Sequence, residues 1–215
     1  MVASPQPQVI KPEEYLVWET QQDLRYEYDS GETWAMTGGT LPHNDLAINL
    51  LVALLPHVRK RGCRINMADA KVQVSDDGPY FYSDLVVSCD RRDCEATKLI
   101  RYPTLVVEVL SSGTESRDRG RKFRQFQRSV TLQEYVLVDY ESERVECFRR
   151  SQETIFGFTK PLRPEMSYVW KVTNVNAPLL QFMKMSHYSQ RAKPRRRKCH
   201  ERDCAEAKTQ SPAPQ

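Results

Sequence analysis

Between Leu41 and about Arg61, apolar residues return at helical spacing. Leu46, Leu50, Leu54 and Val58 fall every fourth residue, and Ala47, Leu51 and Ala53 widen the stripe. The pattern predicts an amphipathic helix with Pro42 in its first turn and an end or kink at Pro56. Upstream, Lys11-Pro12-Glu13-Glu14 opens a shorter predicted helix to about Thr20, with its acids at the positive end of the dipole. The aromatic-rich runs of RYEYDSGETWAM flank Asp29-Ser30-Gly31, which reads as a hairpin turn. After Gly62 the period changes. Arg64–Ser75 reads as one strand closed by Asp76-Asp77-Gly78-Pro79, and Tyr82–Ser88 as another. Thr104–Leu110 is apolar almost throughout, so it predicts a strand covered on both faces. Thr114 caps a predicted helix to about Arg128, with Phe123, Phe126 and Val130 as its buried stripe. Tyr135–Asp139 is a further strand and Arg144–Arg149 an outer one. A helix, three strands, a helix and a strand describe an α/β fold, a mixed central sheet flanked by helices.

Composition narrows this picture. The 215 residues are 40% hydrophobic and 28% charged, enough for one medium domain with extensions at its ends. Eight Gly and 13 Pro exclude a collagen-like chain. The longest apolar stretch, Leu46 to Leu55, is interrupted by Asn49 and is too short to cross a bilayer. No basic start precedes an apolar run at the N-terminus, so no signal peptide is expected and the expected location is cytoplasmic. In that compartment the six Cys read as reduced thiols rather than a disulfide framework. Charge is uneven: residues 1–150 carry 20 basic and 23 acidic side chains, residues 151–215 carry 12 and 5. The division that follows is a loose segment at 1–10, a domain at 11–150, a segment at 151–188 where periodicity fades, and a basic tail at 189–215.

Three side chains break the pattern in ways that point to chemistry. Glu108 stands inside Leu105-Val106-Val107-Glu108-Val109-Leu110, where a lone carboxylate costs several kcal/mol unless it is paired, protonated or bound to a cation. Its plain reading is a strand-end Glu bonded to a neighbouring Arg. Asp84 opens the apolar run of Tyr82-Ser83-Asp84-Leu85-Val86-Val87, and alone it would be a turn-capping Asp. Two carboxylates on neighbouring central strands can also hold a hard divalent ion through oxygen. Lys122 borders the buried stripe of the second long helix, four residues before Phe126, and can reach inward to a metal-bound water or a phosphate. Its alternative is an exposed pair with Asp118, worth a few tenths of a kcal/mol.

Together, RYEYDSGE, LPHNDLAINLL, YSDLVVSC, YPTLVVEVLSSGTESRDRGRKFRQF and TLQEYVLVDY resemble the Uma-two family, restriction endonucleases of the PD-(D/E)XK nuclease superfamily. The resemblance covers roughly residues 11–150, and LVVEVLSSGTESRDRGRKF is its most specific block. It implies a restriction-endonuclease-like fold and an Mg²⁺- or Mn²⁺-dependent endonuclease that hydrolyses nucleic acid, DNA in the first instance, leaving a 5′-phosphate. Asp84 and Glu108 would be its metal ligands, helped by a backbone carbonyl near Val109. The superfamily lysine two residues after the second carboxylate is Leu110 here, and Lys122 matches the family's substitute. Ser83 stands where a Pro is usual, Phe126 where a Tyr is usual, and the family's apolar C-terminal ending is not recognisable. His43 matches a characteristic family His that would face the site. By itself it reads as a first-turn packing or capping residue.

Glu32, Asp118 and Arg121 are secondary candidates. Arg117, Arg119, Arg121, Lys122, Arg124 and Arg128 form either a solvated basic face or a clamp for phosphate oxygens. Arg195-Arg196-Arg197-Lys198 would give sequence-blind, salt-dependent affinity for a polyanion, or serve as a solubilising tail. A homodimer fits as well as a monomer. Cys89 with Cys94, and Cys199-His200 with Cys204, suggest zinc, but neither segment is framed as a four-ligand site. Phosphate-loop, dinucleotide and Gly-x-Ser-x-Gly patterns do not occur. A nuclease is therefore the leading expectation. Its rival is a nuclease-like fold that binds nucleic acid or a partner without turnover.

Overall fold

In the computed structural model, residues 10–36, 38–139 and 141–151 are described in full, and the strands Gly157–Leu162, Ser167–Trp170 and Val175–Pro178 as backbone. The early elements fall where the pattern places them. Helix α1 is Pro12–Glu19, strands β1 (Tyr26–Asp29) and β2 (Glu32–Ala35) form the hairpin, and α2 spans Leu41–Lys60. Ser30 and Gly31 both have positive φ, 53° and 89°, the backbone that matches a two-residue turn to strand twist. α2 runs through Pro56 to Lys60. Pro56 removes one helical hydrogen bond, but both it and Val52 are on the solvent side, whereas Leu54 and Val58 hold the opposite face in the core.

The predicted strand 64–75 is two strands, β3 (Arg64–Met67) and β4 (Lys71–Gln73), because Ala68 turns the chain at φ 46°. Its partner divides likewise into β5 (Tyr80–Tyr82) and β6 (Leu85–Ser88). The long hairpin thus leaves one sheet for another. β4 and β5 belong to a four-stranded sheet of order β2-β1-β5-β4, whereas β3 and β6 belong to a six-stranded sheet. The six-stranded sheet continues through β7 (Leu105–Val109), β8 (Glu134–Asp139), β9 (Arg144–Arg149) and β10 (Gly157–Leu162), in the order β10-β9-β8-β7-β6-β3. β9 is therefore flanked by β10 and is not the outer strand. β7 and β8 pair in parallel and the other pairs are antiparallel. β11 (Ser167–Trp170) and β12 (Val175–Pro178) form a separate antiparallel pair.

β7 is covered on both faces, as its composition requires. Leu105, Val107 and Val109 pack with Leu46, Leu50 and Leu54 of α2, and Val106 and Leu110 with Phe81, Phe126 and Leu132. Strand alternation sets Glu108 with Val106 and Leu110, on the face away from α2. The predicted second helix is discontinuous there: α4 (Glu115–Arg117), a π-helical turn at Asp118–Lys122, and α5 (Phe123–Phe126). Val130 lies past its end and is 83% exposed, so the buried stripe ends at Phe126. A short helix, α3 (Arg91–Glu95), was not foreseen.

The thiol expectation also needs correction. Cys63 and Cys89 extend the β3–β6 register by one position, face each other, and form a disulfide. Cys94 and Cys147 are free among the described residues, and Cys199 and Cys204 lie outside them. The core assignment has a direct check in urea denaturation. Leu54→Ala should lower stability by about 2–5 kcal/mol, and Val130→Ala should stay within about 0.5 kcal/mol of wild type.

Candidate active site

The two sheets meet at Ser83-Asp84, the step between β5 and β6. Asp84 Oδ2 accepts the Val109 backbone N–H at 2.7 Å, which pins it beside the end of β7. Glu108, one residue earlier on β7, turns its Oε2 to within 3.4 Å of the Asp84 backbone N–H. The sheet switch thereby sets the two predicted carboxylates side by side.

Lys122 reaches this pair from the π-helical turn. Its side chain is 3% exposed and its ammonium is ringed by oxygen. It lies 2.9 Å from Glu108 Oε1, 3.0 Å from Glu27 Oε1 and 3.9 Å from Asp118 Oδ1, and it donates to the Tyr82 carbonyl at 2.7 Å. The exposed-pair alternative for Lys122 and Asp118 is thus set aside, since both are buried. Such π turns occur often at functional sites. Here the turn directs both Asp118 and Lys122 inward.

His43 approaches from the other side. Thr40 caps α2 by accepting the His43 backbone N–H, and Pro42 fits the first turn. The ring then points its Nε2 to Asp84 Oδ2 at 3.3 Å. Gly39 is part of this fit, because a Cβ there would lie 3.0 Å from His43 Nδ1. Asp84 and His43 keep partial exposure at the open end of the group, whereas Glu108 and Lys122 close its inner end.

Sequence reading did not single out Glu27. It lies on β1 in the smaller sheet and is 1% exposed. Glu27 Oε1 accepts the Tyr82 backbone N–H at 3.0 Å and faces Lys122, while Oε2 pairs with Arg117 at 2.8 Å. Between two tyrosines it looks like the solvent-facing position of an alternating strand, and only the second sheet packing over it makes it internal. Glu32 and Arg121 lie together elsewhere. Arg121 pairs with Asp29 at 2.5 Å and Glu32 at 2.6 Å, with its guanidinium 4.4 Å from the Trp34 ring centre, so it ties the hairpin to the π turn.

Charge in this cluster is strongly perturbed. Burial pushes the Glu108 carboxyl well above the usual range, Asp118 and Asp84 add to that, and Lys122 opposes it. Burial raises Asp118 too, again against Lys122. For Lys122, burial disfavours the charged form, but Glu108, Glu27 and Asp118 outweigh it and hold the ammonium well above the normal lysine range. The hydrogen bond to Asp84 raises His43, although burial works the other way. Four carboxylates (Asp84, Glu108, Asp118 and Glu27) face two permanent cations, Lys122 and Arg117. An excess of oxygen-borne negative charge suits a hard divalent cation. Among the described residues no three His, Cys, Asp or Glu side chains form one metal-holding group. The fit is therefore to an ion taking Asp84 and Glu108 and completing its shell with waters and backbone oxygen, as Mg²⁺ commonly does.

A family model described as "Putative restriction endonuclease", Uma2, matches residues 12–173. The chain belongs to the Uma2 family. It is 38% identical over 144 residues to the uncharacterized protein slr1290 of Synechocystis sp., covering 67% of this chain and 76% of that protein. It is 28% identical over 144 residues to a second uncharacterized protein of that organism, sll1609, covering 66% and 81%. Its fold is similar to the crystal structure of a protein from Anabaena variabilis described as a putative nuclease belonging to DUF820. The TM-score is 0.67 at 14% identity, over 82% of this chain and 99% of that one. Uma2 membership gives the chain a nuclease-like character, and the match extends past residue 150, beyond the span of the motifs. Among the described residues, no helix is long and apolar enough to cross a membrane.

The phosphate-clamp reading of the basic helix is narrowed in this Uma2 chain. Arg117, Arg119, Arg121 and Lys122 all pair with carboxylates, which leaves Arg124 and Arg128 without a carboxylate partner among the described residues. Cys89 takes Cys63 rather than Cys94 as its neighbour, which removes it from the zinc alternative. The His43–Asp84 contact predicts a titration. In EDTA, the His43 ring should titrate above the usual histidine range by NMR, and Asp84→Asn should bring it down. The associated stabilisation is present below about pH 6.5, the unfolded value, and is lost as pH rises through the folded value. An unchanged His43 titration in Asp84→Asn would remove that contact from the site.

Proposed function

We propose that this chain is a metal-dependent endonuclease that hydrolyses phosphodiester bonds of nucleic acid, with DNA as the first substrate to test. The observation carrying this reading is the meeting of Asp84, Glu108 and the Lys122 ammonium at one point of the fold, with His43 at its open end. Asp84 and Glu108 would hold Mg²⁺ or Mn²⁺. Once bound, that ion supplies polarisation of the scissile phosphate and a lowered pKa for bound water.

The protein residues divide the remaining work. The Val109 amide fixes the Asp84 carboxylate, so this donor is oriented before an ion arrives. Lys122 neutralises the carboxylates behind the site and keeps Glu108 in place. His43, raised by Asp84, can donate a proton or a hydrogen bond to a phosphate oxygen at the solvent-facing end. Arg124 and Arg128 are available to phosphates farther along a strand, at the modest strength expected of exposed contacts.

A second reading has its own support. The donors of Lys122 already face Tyr82 O, Glu108 and Glu27, and Phe126 lacks the hydroxyl usual at its position. Those features suit a nuclease-like module that binds nucleic acid or a partner without turnover.

Plasmid cleavage with Mg²⁺ or Mn²⁺, with and without EDTA, distinguishes the two when combined with calorimetric titration of the ion. The nuclease reading expects EDTA to stop cleavage and Asp84→Asn and Glu108→Gln to lower it on the order of 100-fold or more. It also expects both variants to weaken ion binding. Glu108→Gln is the cleaner variant, because its carboxyl is already biased toward the neutral form and the fold should survive the change. Cleavage by both variants at the wild-type rate would overturn the assignment. Nucleic-acid binding without ion binding or turnover would establish the module instead.

A further inference from the structure

Helix α2 carries a second apolar stripe on the side away from the core. Leu41, Ile48 and Val52 are exposed and Leu55 is half-buried. With Asp45 and Arg59, they follow one another at intervals of four, three, four, three and four residues. At about 100° per residue, these six positions share a face about 80° wide, opposite the one carrying Leu46, Leu50 and Leu54. That repeat is the seam of two paired helices rather than the scatter of apolar residues normal on a protein surface.

The polar residues on this face are arranged symmetrically. Asp45 lies seven residues before Val52 and Arg59 seven after it, while Asn44 and Lys60 flank it at eight. Neither Asp45 nor Arg59 forms an ion pair among the described residues. Two copies packed antiparallel with Val52 on the twofold axis would bring Asp45 of each against Arg59 of the other. Their helix dipoles would then run in opposition. Parallel packing would instead set Asp45 against Asp45 and Arg59 against Arg59, which is unfavourable.

We propose that the exposed face of α2 is a homodimer interface, formed by antiparallel, isologous packing against the same face of a second copy. His43 projects from the opposite face of the helix, so this pairing leaves the candidate active site open. Nine residues separate His43 from Val52, which places the two sites about 27 Å apart along the paired axes. The proposal does not depend on the nuclease reading.

Sedimentation equilibrium of the full-length chain over a concentration series tests it. A reversible monomer–dimer equilibrium is expected, with Val52→Glu shifting it to monomer while the thermal unfolding midpoint of the monomer stays near wild type. Asp45→Arg and Arg59→Asp should each weaken the dimer about tenfold or more, and the double variant should recover most of the loss. A wild type that stays monomeric at its highest soluble concentration overturns the proposal and assigns the stripe to another occupant. A dimer indifferent to Val52→Glu, or a double variant no better than the singles, also overturns it.

Discussion

The buried ammonium of Lys122 is the interaction on which the interior depends. Glu27, Glu108 and Asp118 come from three different elements, and without a cation among them their mutual repulsion and desolvation would cost several kcal/mol each. Lys122 turns that liability into a joint. It links β1 of the smaller sheet, β7 of the larger one and the π-helical turn, and its bond to Tyr82 O adds β5. A hydrophobic plug could fill the same space, with less strict demands on position. A lysine fixed by several directional partners specifies one arrangement of the layers.

The second constraint is the sheet switch. β4–β5 and β3–β6 are two parts of one long hairpin, and the chain must change sheets at Ala68-Asp69 on one arm and Ser83-Asp84 on the other. The Ala68 backbone N–H donates to the Asp84 carbonyl, so the two breaks are joined across the hairpin. Backbone that leaves one sheet before entering the next has groups to satisfy. The Asp84 carboxylate serves the neighbouring β7 amide at that point. The same bend holds the fold together and exposes a carboxylate.

Much of this was legible in the sequence where periodicity was long. α2, the Asp29-Ser30-Gly31-Glu32 hairpin and β7 followed from local pattern, and Glu108 stood out because a carboxylate inside an apolar strand has few physical explanations. Asp84 and Lys122 needed the resemblance to rise above ordinary turn and surface roles. Other features depended on contacts between distant residues. Glu27 alternates with aromatic residues as a surface strand would, and only a second sheet buries it. The division of the long strands required a residue with positive φ that is an alanine, a type with no preference for that region. Cys63 and Cys89 are 26 positions apart, and only the β3–β6 register aligns them.

Because β7 and β8 run in the same direction, the segment between them has to travel back across the sheet, and α4, the π turn and α5 make up that return path. The lysine is therefore carried on a connector of constrained length. One extra residue between Val109 and Glu115 would rotate everything after it by about 100° around the helix axis, taking the amine out of its oxygen ring. The stretch from Ser88 to Thr104 joins antiparallel neighbours at the opposite end of β7 from Glu108 and carries none of these groups. Insertions and deletions in this lineage should thus accumulate in that second connection, and the first should keep its length even where its letters change.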